Sequence, residues 1–288
     1  MREIRIIEIK CTGCGLCVQA CPFGSVSIVD GLAKISESCQ LCGACVSSCP
    51  SGCVEIAEEE KEIVDLSKYK GVLVFGEQRN GRVSPVVHEL IGKGRELAND
   101  LGDELSCIII GDHVREQAED LTCYGVDKVY IYEDPCLATF RDDPYTDLLA
   151  DLVSEIRPSV FLIGATSIGR SLAPRIATRL KTGLTADCTG LEIGSEGKLL
   201  LQTRPAFGGN VMATITCPDS RPQMATVRYK IMKRAERIPG YEGKVINVEF
   251  DSEKLRDRVR VDESMKEEAG VSITEAEIIV SGGKGLGN

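Results

Sequence analysis

Beyond about residue 70 the chain alternates two hydrophobic rhythms. Short, largely apolar runs at 72–75, 105–110, 128–132 and 160–163 read as buried strands, and between them apolar residues recur every three or four positions. The clearest such stretch carries Val86, Val87, Leu90, Ile91, Leu97, Ala98 and Leu101 behind Ser84-Pro85, a helix start signal. Further helices are expected over about 114–123 and 145–156, and after the 160–163 run as far as 180. Strand and helix in alternation predict an α/β fold, a mainly parallel sheet with helices on both faces. From residue 184 the pattern turns to strands and turns, with 199–202 and 211–216 flanking a Gly-rich segment. A polar, charged stretch at 241–277 reads as a linker, and 278–280 as an apolar strand.

The amino-terminal part follows another pattern. Eight of the fourteen cysteines lie in two copies of one motif, Cys11, Cys14, Cys17, Cys21 with Pro22, and Cys39, Cys42, Cys45, Cys49 with Pro50, offset by 28 residues. Gly24 matches Gly52, Val26 matches Val54 and Ile28 matches Ile56, so the unit is a Cys loop, a turn and a short strand, repeated. Short strand-like segments at 26–29 and 32–35 flank Asp30-Gly31, the dipeptide that supplies the positive φ angles of a tight hairpin. A Glu-rich run at 58–62, continued by polar residues at 65–70, marks a boundary near residue 65.

Three thiolates on one tight loop can reach three corners of an iron-sulfur cube, while Cys-Pro turns the chain away and sends its thiolate to the other cluster. The spacing therefore assigns Cys11, Cys14, Cys17 and Cys49 to one 4Fe-4S cluster, and Cys39, Cys42, Cys45 and Cys21 to a second. Gly13, Gly15, Gly43 and Ala44 leave room for main-chain N–H groups to approach cluster sulfurs. Zinc is the rival, because paired cysteines also build zinc knuckles, yet a third in-loop cysteine and a Cys-Pro in each copy have no use in a four-coordinate site. Cys53, just past the second motif, reads as a small buried apolar residue. Cys107, Cys123, Cys136, Cys188 and Cys217 lack ligand spacing and are expected to be inert buried thiols.

Charge narrows the partners. The chain carries 34 basic and 44 acidic residues, a formal net charge of −10, which argues against nucleic acid or an anionic membrane as the main partner. Residues 1–62 hold five basic and nine acidic side chains, and such surroundings predict low cluster potentials. No apolar run approaches the roughly 20 residues of a membrane helix and no signal segment opens the chain, so a cytoplasmic location is expected. His88 and His113, the only histidines, stand without a paired carboxylate or serine at motif spacing and read as structural or surface residues. No residue has the setting of a general acid, base or nucleophile.

Three loops remain. Gly164 to Arg170, with Ser167 and Gly169 between, joins a strand to a helix and offers N–H groups, hydroxyls and a cation to an anion, although any strand-to-helix turn favours Gly and Ser. Arg204, Gly208, Gly209 and Asn210 lie in the turn after the 199–202 run, which is either a ligand-facing loop or a plain hairpin connection. Ser281, Gly282, Gly283, Lys284 and Gly285 follow the 278–280 run like the phosphate loop that opens a nucleotide-binding unit, and no helix follows them.

Taken with the segments 172–175, 182–188, 203–210 and 225–228, these loops make residues 71–288 resemble the alpha subunit of electron-transferring flavoproteins. The amino-terminal part is similar to bacterial two-cluster ferredoxins, and the fusion is similar to alpha subunits of electron-bifurcating complexes serving caffeyl-CoA reductase or lactate dehydrogenase. The organisation expected is a small α+β ferredoxin-like domain at 1–62, a linker at 63–70, an α/β nucleotide-binding-like domain at 71–240, a linker at 241–277 and the start of a truncated FAD domain at 278–288. The resemblance implies a beta subunit carrying NADH and a second FAD, with Gly164, Ser167, Gly169, Arg170, Arg204, Gly208, Gly209 and Asn210 near the subunit interface and its flavin. It implies that Ser281, Gly282, Gly283, Lys284 and Gly285 cradle the alpha-subunit FAD. The family usually has Arg where this chain has Lys284, and Lys lacks the planar fork that stacks on a flavin ring. Most of the FAD domain is absent, so tight FAD binding is not expected of the chain as it stands, and the natural protein is expected to continue.

The implied activity is transfer of electrons from NADH through the beta-subunit FAD, one to ferredoxin by way of the clusters and one through the alpha-subunit FAD to an acyl-CoA or lactate dehydrogenase. The alternatives are a non-bifurcating carrier between a dehydrogenase and a quinone oxidoreductase, and a nucleotide-binding sensor whose clusters report redox state.

Overall fold

A computed structural model of the protein describes residues 2–58, 65–195, 197–262, 276 and 278–287. The chain divides into two compact units, Met1–Asp65 and Leu66–Asn288.

In the first unit, strand β1 (Arg2–Ile6) is followed by helix α1 (Leu16–Ala20), the hairpin β2 (Val26–Val29) and β3 (Leu32–Ile35), helix α2 (Ala44–Ser47) and strand β4 (Val54–Glu58). The hairpin turns on Asp30 and Gly31, at φ 54° and 80°, as the sequence predicts. β1 and β4, the two ends of the unit, pair antiparallel with Ile4 opposite Ile56. Its buried core is thin: Ile4, Val26, Ala33 and Val54, with Cys17, Cys45 and Cys53.

The second unit follows the predicted alternation. It runs β5 (Val72–Gly76), β6 (Gln78–Arg79), β7 (Arg82–Val83), α3 (Pro85–Leu101), β8 (Leu105–Gly111), α4 (Arg115–Thr122), β9 (Lys128–Glu133), α5 (Asp142–Ile156), β10 (Val160–Gly164), α6 (Ser167–Arg179) and β11 (Leu184–Cys188). Then come β12 (Gly190–Ile193), β13 (Leu200–Ala206), β14 (Val211–Ile215), β15 (Gln223–Val227) and β16 (Lys244–Asn247). Seven strands form a parallel sheet in the order β11-β15-β10-β5-β8-β9-β16, and β12-β13-β14 form a separate antiparallel sheet.

Alternating strand residues feed two cores. Val72, Val74, Leu105, Cys107 and Ile109 pack with α3 and α4, while Leu73, Phe75, Ile108 and Ile110 pack with α5 and α6. The chain moves from β5 to β8 and β9 on one side, then crosses back through α5 to place β10 on the other side of β5. This reversal puts the topological switch of the sheet between β5 and β10, where the loops after parallel strands part.

Four elements differ from the expectation. The stretch 241–277 is not all linker, because Lys244–Asn247 joins the sheet edge beside β9; with only Val245 and Ile246 apolar it carries too weak a pattern to be read. Ile278, Ile279 and Val280 form no strand and are exposed, Ile278 at 84% and Val280 at 95%; they pair with no other strand among the described residues. β6 and β7 form a small hairpin on Asn80-Gly81, at φ 51° and 72°, a turn dipeptide that the sequence does display. Helix α5 begins at Asp142, where Asp142, Asp143 and Pro144 supply first-turn residues ahead of the apolar face. Of the predicted linker 241–277, residues 263–275 and 277 lie outside the described residues.

Candidate functional site

The backbone of the first unit builds two matching Cys loops. Gly15 and Gly43 precede α1 and α2 with left-handed φ of 74° and 75°, and Gly24 and Gly52 each follow a Cys-Pro at 60°. Gly13 and Leu41 also match, at 66° and 54°, and Gly13 lies against the hairpin: a Cβ there would come within 2.4 Å of the Gly31 carbonyl oxygen.

These loops bring the cysteines together crosswise. The Cys17 thiol interacts with Cys14 and Cys11, and Cys11 with Cys49; the Cys45 thiol interacts with Cys39, Cys42 and Cys21. Each group thus holds three thiols of one motif and the Cys-Pro thiol of the other. Cys17 and Cys45 are buried, which pushes their thiols up, while Cys14 and Cys42 are exposed. Among the described residues no three His, Cys, Asp or Glu side chains converge closely enough to hold a single metal ion.

Donors already point at the sulfurs. The Ala33 N–H, at 3.4 Å, lowers the Cys11 thiol, and the Ser25 N–H, at 3.3 Å, lowers Cys21. Cys49 is drawn down to about 6 by the Ser51 hydroxyl, with Cys53 assisting. Ser51 also pulls on Cys53, but burial and the contacts with Cys49 and Cys11 outweigh it and push that thiol up to about 11. Eight thiols in two groups, several accepting N–H bonds while the others are buried or at the rim, suit a polynuclear iron-sulfur group.

Cys53 is buried, as expected, but its sulfur is 3.3 Å from Cys49 Sγ, so it is part of this centre and not an isolated apolar filler. Of the other cysteines only Cys107 and Cys188 are buried; Cys123, Cys136 and Cys217 are partly exposed. His88 packs against Tyr124 with the rings tilted and their centroids 4.7 Å apart, and the His113 side chain lies in the open, 93% exposed.

In the second unit Thr166 caps α6, its hydroxyl accepting the Gly169 N–H at 3.0 Å and donating to buried Glu77, whose carboxyl burial raises. Gly164 and Gly169 are packing glycines, since a Cβ on either would strike Val86 or the Gly164 carbonyl. Ser167 Oγ accepts from Arg79 at 2.8 Å, and Arg170 pairs with Asp187 at 3.0 Å. The Thr189 N–H, just past β11, donates to the Thr203 carbonyl on β13 at 2.8 Å, so Arg204 and Arg170 come to the same end of β11. Gly208 and Gly209, at φ 72° and 95°, turn β13 into β14, so this segment is a hairpin connection, with Asn210 exposed at its tip. The exposed Ser281 to Gly285 loop makes only a single turn, over Lys284–Leu286.

The comparisons with known proteins divide at the same place as the fold. The electron transfer flavoprotein domain family matches residues 72–253, and the 4Fe-4S dicluster domain family matches residues 3–50. The electron transfer flavoprotein subunit alpha of Thermoanaerobacterium thermosaccharolyticum is 48% identical over 223 residues, 77% of this chain and 67% of that protein. The lactate dehydrogenase (NAD(+),ferredoxin) subunit LctC of Acetobacterium woodii is 42% identical over 268 residues, 93% of this chain and 64% of its own length, an alignment long enough to enter both units. The acryloyl-CoA reductase electron transfer subunit beta of Anaerotignum propionicum is 40% identical over 248 residues, 77% of this chain and 67% of that one. The chain spans about two thirds of the length of these curated relatives. With a 4Fe-4S domain in the first unit and a flavoprotein domain in the second, the chain belongs to the electron transfer flavoprotein family, as an alpha-type subunit.

Proposed function

We propose that this chain works in the cytoplasm as the alpha subunit of an electron-bifurcating flavoprotein, bound to a beta subunit that carries NADH and a FAD. Electrons leave for ferredoxin by way of two 4Fe-4S clusters, and for an acyl-CoA or lactate dehydrogenase by way of an alpha-subunit FAD. The observation that carries the reading is the crossed grouping of eight thiols in a unit joined to a flavoprotein domain. LctC, whose name couples NAD with ferredoxin, adds support because its likeness enters both units.

When bound, the clusters supply one-electron transfer and the flavins connect it to two-electron chemistry. The protein's part is placement. Cys11, Cys14, Cys17 and Cys49 would hold one cluster and Cys39, Cys42, Cys45 and Cys21 the other, with burial of Cys17 and Cys45 keeping water from one corner of each. Arg170 and Arg204, gathered at one end of β11, would set positive charge beside the beta-subunit flavin, and Ser281 to Gly285 would meet the alpha-subunit FAD.

The test uses the complex with its beta subunit. Replacing Cys14→Ser and Cys42→Ser abolishes NADH-dependent ferredoxin reduction while NADH still bleaches the flavin; undiminished ferredoxin reduction refutes the reading. Bifurcation further requires that ferredoxin reduction stop when the high-potential acceptor is withheld, and reduction that continues without it marks a plain carrier instead.

A further inference from the structure

The two halves of the cysteine-rich unit share a backbone but differ in what surrounds their Cys-Pro sulfurs. Under the 28-residue offset Cys21 matches Cys49, Phe23 matches Ser51 and Ser25 matches Cys53. Both sulfurs accept the same main-chain bond, Ser25 N–H to Cys21 Sγ and Cys53 N–H to Cys49 Sγ, each at 3.3 Å. The side chains break this symmetry. Cys49 Sγ lies 3.4 Å from Ser51 Oγ and 3.3 Å from Cys53 Sγ. In the other half Phe23 has no polar group and is 55% exposed, while the Ser25 hydroxyl turns to the Phe23 carbonyl at 3.5 Å and the Ser38 hydroxyl at 3.1 Å.

A thiolate bound to iron has no proton to give. In both side-chain contacts Cys49 is therefore the acceptor, with Ser51 O–H and Cys53 S–H donating. Cys53 is only 3% exposed, so water does not compete for its bond, and its thiol also interacts with Cys11, a member of the same group. Hydrogen bonds to a charged acceptor are roughly twice as strong as neutral ones, and at ligating sulfurs they favour the state carrying more negative charge. One group thus has two side-chain donors on its Cys-Pro sulfur, and its twin has none among the described contacts.

We propose that Ser51 and Cys53 set the two clusters at different reduction potentials, the one ligated by Cys11, Cys14, Cys17 and Cys49 lying above its twin. This gives the unit a direction: an electron that enters at the lower centre settles at the higher one. The inference rests on the two-cluster reading above. Ser51 and Cys53 act through Cys49 and are positioning residues, not ligands.

The experiment is a redox titration of the anaerobically purified complex with its beta subunit, followed by electron paramagnetic resonance after an iron and sulfide count. Wild type shows two midpoints. In Ser51→Ala and in Cys53→Ala the higher midpoint falls and the lower stays, and the double variant narrows the gap further. Cys53→Ser, which keeps a donor, retains most of the separation. Building the donors into the other half, with Phe23→Ser and Ser25→Cys, raises the lower midpoint. Unmoved midpoints, equal movement of both, or a fall in the lower one overturns the inference. An iron count near four instead of about eight per chain overturns the two-cluster reading itself.

Discussion

Gly13 and Gly15 differ in what a single methyl group would cost. Both have left-handed φ, but an added Cβ on Gly13 meets the Gly31 carbonyl and one on Gly15 meets nothing within 4 Å. Gly15→Ala should cost the φ penalty alone, about 1 kcal/mol, whereas Gly13→Ala should cost about 2–3 kcal/mol and lower the iron bound per chain. Denaturant midpoints of the first unit, with iron analysis, check the contrast. Leu41 stands at the place matching Gly13, also with a left-handed φ, and carries a side chain that is 44% exposed. At this scale the two groups of four thiols were legible, because the repeated spacing along the chain sets which cysteines share a loop. The Ser51 and Cys53 contacts were not, since they arise only when the turn after Pro50 folds back onto Cys49. The pairing of Arg170 with Asp187 joins α6 to the end of β11 and likewise leaves no local trace.

Among the elements, β5, β8, β9 and β10 and the helices between them were legible because these strands are largely buried and each helix buries one face, which writes two distinct periods into the sequence, whereas β11 and β15 were not singled out as strands of the sheet. β16 was missed because an edge strand with two apolar residues barely departs from a linker. It is tied down beside a polar knot that tests its importance. Asp127, just before β9, accepts from the Leu105 N–H at 2.7 Å, from Arg95 at 2.6 Å and from the Tyr241 hydroxyl, shortly before β16. Burial alone would raise its carboxyl, but Tyr241, Arg95 and Leu105 outweigh it and hold it below the usual range. A pKa lower in the folded than in the unfolded chain stabilises above the unfolded value, roughly 3.9, and that contribution fades as pH falls through the folded value. Asp127→Asn should therefore weaken the second unit by about 1–2 kcal/mol at neutral pH. The deficit should shrink at about pH 3, as urea unfolding at the two pH values would show.

For the molecule as a whole, the two units should depend differently on metal. The second has two extended cores, one on each face of its sheet. Among the described residues the buried core of the first holds four aliphatic side chains and three cysteines, and small domains with such cores need a metal or cross-links to hold them. Stripping iron from the complex with a chelator should abolish amide protection in the first unit and leave that of β5, β8 and β10 intact, a difference that hydrogen exchange resolves. Retained protection in both units would show that the thin core suffices by itself. The pairing of β1 with β4 bears on ancestry. Because its two terminal strands lie shoulder to shoulder, the cysteine-rich unit is a self-closed cassette, able to be spliced onto an unrelated body or lost from it without tearing either fold.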